Sequence, residues 1–448
     1  MIETLNQDCF CVGVDSDALR RAIEADPAAR GLHRLIEERC PHLFAALPVF
    51  VSRRHVDAMA AVIRAVESVA ALPAYREAAL GWAPAIARFD AGTPGAFMGY
   101  DFHLGADEPR LIEVNTNAGG ALLNTVLARA QRACCDDIAS FVTGPVASAD
   151  LERTFFDMFA AEWRSAGRSG LPNRIAIVDD TPEQQFLYPE FLLFAQLFRR
   201  FGIDATVLDP TELSFAGGVL RDARGPIDLV YNRLTDFSLE APAHAALREA
   251  YVVRAAVVTP HPQAHALYAN KRNLSLLTDA ARLRSWGVDE PTRDTLLRGV
   301  ARTEVVSAAD SDRLWAARRN LFFKPAAGFG SKAAYRGDKL TRRVWTEILV
   351  GQYVVQELVP PSERRIGPQS SMKSDVRNYV YAGEVQLLAA RIYQGQTTNL
   401  RTAGGGFAPV LTTPAPADQP NMSHSGRSSR SAPIASNTPP PARCEYRT

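Results

Sequence analysis

The stretch from Pro172 to Arg233 restricts the possible folds of this chain more than any other. NRIAIVDD (Asn173–Asp180) is an apolar run bounded by turn residues, as a buried strand should be. PEFLLFAQLFRRFG (Pro189–Gly202) spaces its apolar residues three and four apart and stops at a glycine, the pattern of an amphipathic helix. DATVLD (Asp204–Asp209) and IDLVYNRL (Ile227–Leu234) then read as two further strands. A strand–helix–strand unit implies a parallel sheet, and such sheets gather ligands at the carboxyl ends of their strands. Asp179, Asp180, Asn232 and Arg233 end the predicted strands and are therefore candidate substrate contacts, although strand-end capping accounts for each of them equally well.

The chain has 448 residues, more than one hydrophobic core usually spans, so several domains are expected. Residues 16–85 have helical spacing throughout, and helices are expected again from Ala121 to Arg164. Between them, FMGYDFHLGADEPRLIEVNTNAGG reads as two short strands joined by the turn-rich GADEP. VVTPHPQAHALYANKRNLSLL leads through a loop into a helix starting near Lys271. From Thr303 to Val410 the strands NLFFKPA, KAAYRG, YVVQELV, VRNYVYAG and EVQLLAARIY alternate with one helix at Leu340–Val350, an antiparallel α+β pattern. The expected class is α/β with α+β lobes. The expected division is a helical region 1–165, a βαβ domain 166–265, a third lobe 266–411, and a Pro- and Ser-rich tail 412–448 too poor in large apolar residues to fold.

The charge balance narrows the functions available. A formal net charge of +1 provides no basic excess for neutralising a phosphate backbone, so a nucleic-acid partner is not expected. No run of about 18 apolar residues suggests a membrane span, and MIETLNQDCF lacks the order of a secretory signal. Cys9 with Cys11, and Cys134 with Cys135, could each form half of a metal site, but neither has a second pair at ligand spacing. Six cysteines in this length suit reduced thiols in the cytoplasm, and a homodimer is the assembly to expect.

Four motifs carry chemistry. In LIEVNTNAGG, Glu113 and Asn115 stand two apart on a strand and so face one way. With Asp101 on the neighbouring strand they would converge as the hard oxygens that suit Mg²⁺, or else form an ordinary hydrogen-bonded strand end. In NLFFKPAAGFGSKAAYRG a strand delivers Lys324, and Gly328, Gly330 and Ser331 follow it. Backbone N–H groups of such a turn can approach phosphate while the lysine supplies a point charge. YVVQELV ends in Gln356 and Glu357 ahead of two prolines, so it can offer a strand end to a base edge. Arg377 and Arg391 lie on opposite strands of a hairpin, and Thr397, Thr398, Asn399 and Arg401 precede a Gly404–Gly406 turn that suits an anionic ligand. No Ser-His-Asp or Cys-His arrangement stands out, and His261 and His265 read as structural.

In this order the motifs resemble the ATP-grasp superfamily in a circularly permuted form, as in glutathionylspermidine synthetase and eukaryotic glutathione synthetase, because the acidic strand precedes the lysines. The resemblance covers about residues 95–125 and 255–410. It implies a metal set of Asp101, Glu113 and Asn115, and ATP-binding residues Lys271, Lys324, Gly328, Gly330, Ser331, Gln356 and Glu357. It also implies Arg391 with Lys324 at the transferred phosphate. Arg233, Asn232, Arg377 and Asn399 are the expected substrate contacts, the middle βαβ region resembling a pre-ATP-grasp domain. The implied activity is Mg-ATP-dependent joining of a small carboxylate to an amine through an acyl-phosphate. A kinase on the same fold, or a nucleotide-binding protein without turnover, are the alternatives. In one respect the sequence departs from the pattern: the family carries an arginine two residues before the first metal aspartate, where this chain has Gly99, so Arg88 or Arg391 would have to replace it.

Overall fold

The computed structural model describes residues 2–105, 108–133, 148–328 and 333–412. The strand–helix–strand unit is present: Arg174–Val178, Asp204–Leu208 and Leu229–Asn232 run parallel, with helix Tyr188–Arg200 as a crossover. Val257–Thr259 adds a fourth parallel strand beside Leu229–Asn232. The sequence suggested a loop there, since three residues cut short by Pro260 are too few to show a period.

The largest sheet has seven strands and draws on both ends of the described chain. The Asp101 strand (Met98–Leu104) lies antiparallel to the Glu113 strand (Pro109–Asn115) on one side and to the Arg377 strand (Ser370–Tyr381) on the other. The Arg391 strand (Glu384–Tyr393), then Gly406–Thr412 and Val49–Val51, continue the sheet, while Ser362–Gly367 pairs with the first half of the Arg377 strand. Val49–Val51 falls inside the stretch read as helical. Three apolar residues gave no alternation, and the parallel partner lies far away in sequence.

A smaller antiparallel sheet orders Thr303–Val305, the Gln356 strand (Tyr353–Glu357), the Lys324 strand (Leu321–Pro325) and Tyr335–Arg336. It packs on helix Arg342–Val350 through Phe323, Trp345, Ile348 and Val355. Among the described residues no helix is long and apolar enough to cross a membrane. Cys134, Cys135, Gly330, Ser331, Lys332 and residues 413–448 of the expected tail lie outside the described residues.

An aromatic cluster joins the parallel sheet to the large one. Phe97, one residue ahead of the Asp101 strand, meets Phe155, Phe194, Tyr231 and Tyr379 with ring centroids 5.1, 5.4, 6.1 and 6.4 Å away. Its backbone is left-handed (φ 53°), a conformation a bulky residue holds only when its surroundings impose it. The edge-on contacts place ring hydrogens against ring faces, the favoured aromatic geometry. Removing the ring at Phe97→Ala should cost about 3–5 kcal/mol, read as a lower urea midpoint. A loss under about 1 kcal/mol would mean the cluster closes over the gap and does not hold the two sheets together.

Candidate functional site

Cross-strand register lines up charged side chains on one face of the large sheet. Asp101 pairs with Glu113 on one side and with Arg377 on the other, and Asp375 pairs with Arg391. Asp101 is fully buried beneath this face. Arg377 grips it through both oxygens at 2.6 and 2.7 Å, Arg391 Nη2 lies 2.9 Å from Oδ2, and Asn115 Nδ2 donates to the same oxygen at 3.0 Å. Burial alone would raise the Asp101 carboxyl pKa, but the two guanidinium groups outweigh it and hold it well below the usual range. Arg391 also donates through Nε to Asp375 at 2.7 Å, and Thr398 hydrogen-bonds the other oxygen of Asp375.

This amends the expected metal set. Both oxygens of Asp101 are engaged by arginines, so it orders Arg377 and Arg391 from below and does not face a ligand. Glu113 and Asn115 do border the cavity, and Asn115 Nδ2 also donates to Glu113 Oε1 at 3.2 Å. Among the described residues no group of three His, Cys, Asp or Glu could hold a metal ion. Two protein oxygens at a cavity edge nevertheless suit Mg²⁺, which commonly takes one or two protein ligands and fills its octahedron with water and ligand oxygens.

A β-bulge shapes this edge. Asp101 pairs with Glu113 but Phe102 pairs with Leu111, which leaves Ile112 as an extra residue in the Glu113 strand. The Ile112 carbonyl accepts from Lys324 Nζ at 3.0 Å and from Gln356 Nε2 at 3.3 Å, so the bulge ties the large sheet to the small one. Between the two sheets lies a cavity of about 260 Å³. Lys271, Lys324, Arg336, Lys373, Arg377 and Arg391 border it, against the carboxylates of Glu113 and Glu357. Ile112, Phe322, Leu358, Val359 and Pro361 supply apolar wall. An apolar cavity with a cationic excess suits a planar base carrying several phosphates.

The small sheet's residues are fixed in turn. Lys324 is buried. Burial, together with the positive charge of Lys271, pushes its pKa down to about 8 against the pull of Glu113. Lys271 Nζ donates to the Gly328 carbonyl at 2.6 Å, bringing both residues to the cavity as expected. Glu357 borders it beside Arg110, 3.2 Å away. Gln356 borders the cavity as well, and its amide is hydrogen-bonded to Lys324, Thr303 and Ile112. The backbone beyond it is partly engaged too, since Leu358 N–H donates to Asn320 and the Val359 carbonyl accepts from His103 Nδ1 at 2.7 Å.

Of the expected substrate contacts, Arg377 reaches the cavity, and its side chain lies over Gly99. A Cβ there would meet Ala118 Cβ at 2.6 Å and Arg377 Nε at 3.2 Å. Of the two replacements expected for Gly99, Arg391 borders the cavity and Arg88 does not, donating instead to the Leu80 carbonyl on an exposed turn; the guanidinium lying over Gly99 is that of Arg377. Asn399 spends its amide within its own loop, on Gln394, Arg401 and Thr402. Asn232 and Arg233 do not border the cavity. Asn232 braces Leu234 and Pro260, while Arg233 is buried beside Tyr231, Glu190 and Asp179. Burial raises the Asp179 carboxyl to about 7, against the opposing charge of Arg233.

One turn connects this group to the cavity. After Asn115 the chain crosses Gly119, whose Cβ would lie 2.8 Å from Arg233 Nη2, and then Gly120, held at φ +103° with Phe407 filling the space of a Cβ. Glu190 accepts from the backbone of Gly120 at 2.8 Å and of Leu122 at 3.1 Å, capping helix Ala121–Arg129. His265 bonds Thr116 in this turn and stacks on Phe237, and His261 bonds Thr93, so both are structural here. His103, Lys373 and Tyr393 border the cavity without having been singled out. His103 and Tyr393 stand two residues from Asp101 and Arg391, and Lys373 stands four from Arg377, so extending the strand period would have found them.

No protein-family model matches the sequence, and no curated protein matches it. Among solved structures, a glutathione synthetase-like effector from Globodera pallida, in its apo form, superposes with TM-score 0.52 at 12% identity, over 82% of this chain and 89% of that one. A γ-glutamylcysteine synthetase described as putative, from Methylobacillus flagellatus, gives TM-score 0.42 at 13% identity over 84% and 91%. The ATP-grasp ligase PsnB, with its minimal precursor, gives 0.29 at 14% over 55% and 92%. The effector shares its fold with this chain.

The buried charge cluster can be tested apart from any ligand. Asp101→Asn leaves Arg377 without its carboxylate and Arg391 with Asp375 alone, and should cost about 3–5 kcal/mol in chemical denaturation at pH 7. An unchanged midpoint would show that Asp375 alone is enough to hold both arginines.

Proposed function

We propose that this chain of ATP-grasp fold is an ATP-dependent ligase that joins a small carboxylate to an amine through an acyl-phosphate. We read its motif order, with Glu113 ahead of Lys324, as a circular permutation of that fold. The observation that carries the proposal is the meeting of Glu113, Asn115, Lys271, Lys324, Arg377 and Arg391 around one cavity, although the chain delivers them from positions up to 278 residues apart (391 − 113).

Lys271 and Lys324 hold the phosphates of ATP, and the apolar walls hold its base. Glu113 and Asn115 would hold Mg²⁺, which would supply positive charge against the negative charge of the phosphates. Arg391 and Arg377, preset by Asp101, face the γ-phosphoryl group and the incoming carboxylate, so charge that develops there meets donors already in place. A carboxylate oxygen of the substrate attacks the γ-phosphorus and ADP leaves. The amine then attacks the acyl carbon, loses a proton and expels phosphate.

Calorimetry on wild type should show ATP binding that requires Mg²⁺, weakened about tenfold or more in Glu113→Gln and in Lys324→Ala. Mg²⁺-independent binding, or variants that bind as wild type does, would refute this assignment. ADP release that requires both a carboxylate and an amine supports ligation, whereas a stable phosphorylated product formed without amine would replace it with a kinase. Because the Lys324 ammonium gives up its proton near pH 8, ATP affinity should fall as pH rises from 7 to 9 in wild type. Lys324→Met should lack that slope, and an equal slope in both would assign the titration to another group.

A further inference from the structure

We infer that Gln356 is a positioning residue that aims the Lys324 ammonium into the cavity, an inference that rests on the nucleotide reading above. The polarity of the surrounding hydrogen bonds fixes which way its amide points. Thr303 Oγ1 donates its only proton to the Ala301 carbonyl at 2.8 Å, so toward Gln356 it can only accept. Gln356 Nε2 donates to that oxygen at 3.0 Å and to the Ile112 carbonyl at 3.3 Å, and both of these partners are acceptors. The amide nitrogen must therefore face them, which turns Oε1 toward Lys324, whose Nζ lies 2.9 Å away.

An ammonium has three protons. Lys324 gives one to Gln356 Oε1 and one to the Ile112 carbonyl, and the third remains for what enters the cavity that Lys324 borders. Both acceptors are neutral, so they orient the ammonium without cancelling its charge, as a carboxylate in the same place would. Gln356 also lines the cavity and its Oε1 can accept a second proton, so a base contact through the same side chain is the competing role.

The test compares ATP with adenosine, because only ATP carries the phosphates Lys324 would meet. With full-length protein and Mg²⁺, Gln356→Met should lower ATP affinity about tenfold and leave adenosine affinity within about twofold of wild type. Thr303→Val, which removes the hydroxyl that orients the amide, should move ATP affinity the same way, and Thr303→Ser should restore it. If Gln356→Met does not fold, judged by thermal unfolding, the Thr303 pair decides the matter. Equal loss of ATP and adenosine would make Gln356 a base contact and overturn the inference, as would ATP affinity unchanged in the variants. Wild type that binds neither ligand would overturn the nucleotide reading first, and this inference with it.

Discussion

The site depends on one buried carboxylate. Asp101 has no exposed surface and binds two guanidinium groups that neighbouring strands bring over it. Burying one unpaired charge is costly, and so is burying two like charges side by side. The arrangement is tolerable because Asp101 and Asp375 alternate with Arg377 and Arg391 in one hydrogen-bonded array. The arginines meet the cavity with their orientation already set. Neither has to reorganise when an anion arrives, the condition under which fixed charges stabilise developing charge best.

Much of this was legible in the sequence, wherever a side chain's orientation follows from strand period. Glu113 and Asn115 share a face because they are two apart, and Lys324 follows an apolar run that could only be a strand. The strand–helix–strand unit declared itself through its two periods. The exceptions share a physical cause, which is that partners distant in the chain decide them. Asp101 reads as a ligand until Arg377, 276 residues later, is found on its oxygens. Gln356 reads as a strand end until Thr303 is found behind it. The Ile112 bulge has no signature in the sequence, since it exists only as a mismatch of register between two strands.

Gly99 shows how a fold can supply one charge by two routes. The position facing the site has no side chain, and Arg377 crosses from the adjacent strand into that space. The sheet holds a guanidinium there, delivered by a different backbone and anchored to Asp101 through both oxygens.

The shared carbonyl of Ile112 limits how the two sheets can move. It accepts from Lys324 and Gln356 together, so it is a single pin through both layers. Sliding one sheet past the other would take this acceptor from the buried Lys324 ammonium, at a cost. Two further contacts, His103 with the Val359 carbonyl and Arg110 with Glu357, tie the same edge of the large sheet to the end of the Gln356 strand. Any breathing of the cleft that admits a ligand should therefore be smallest at the bulge, where these ties gather, and widest at the rim.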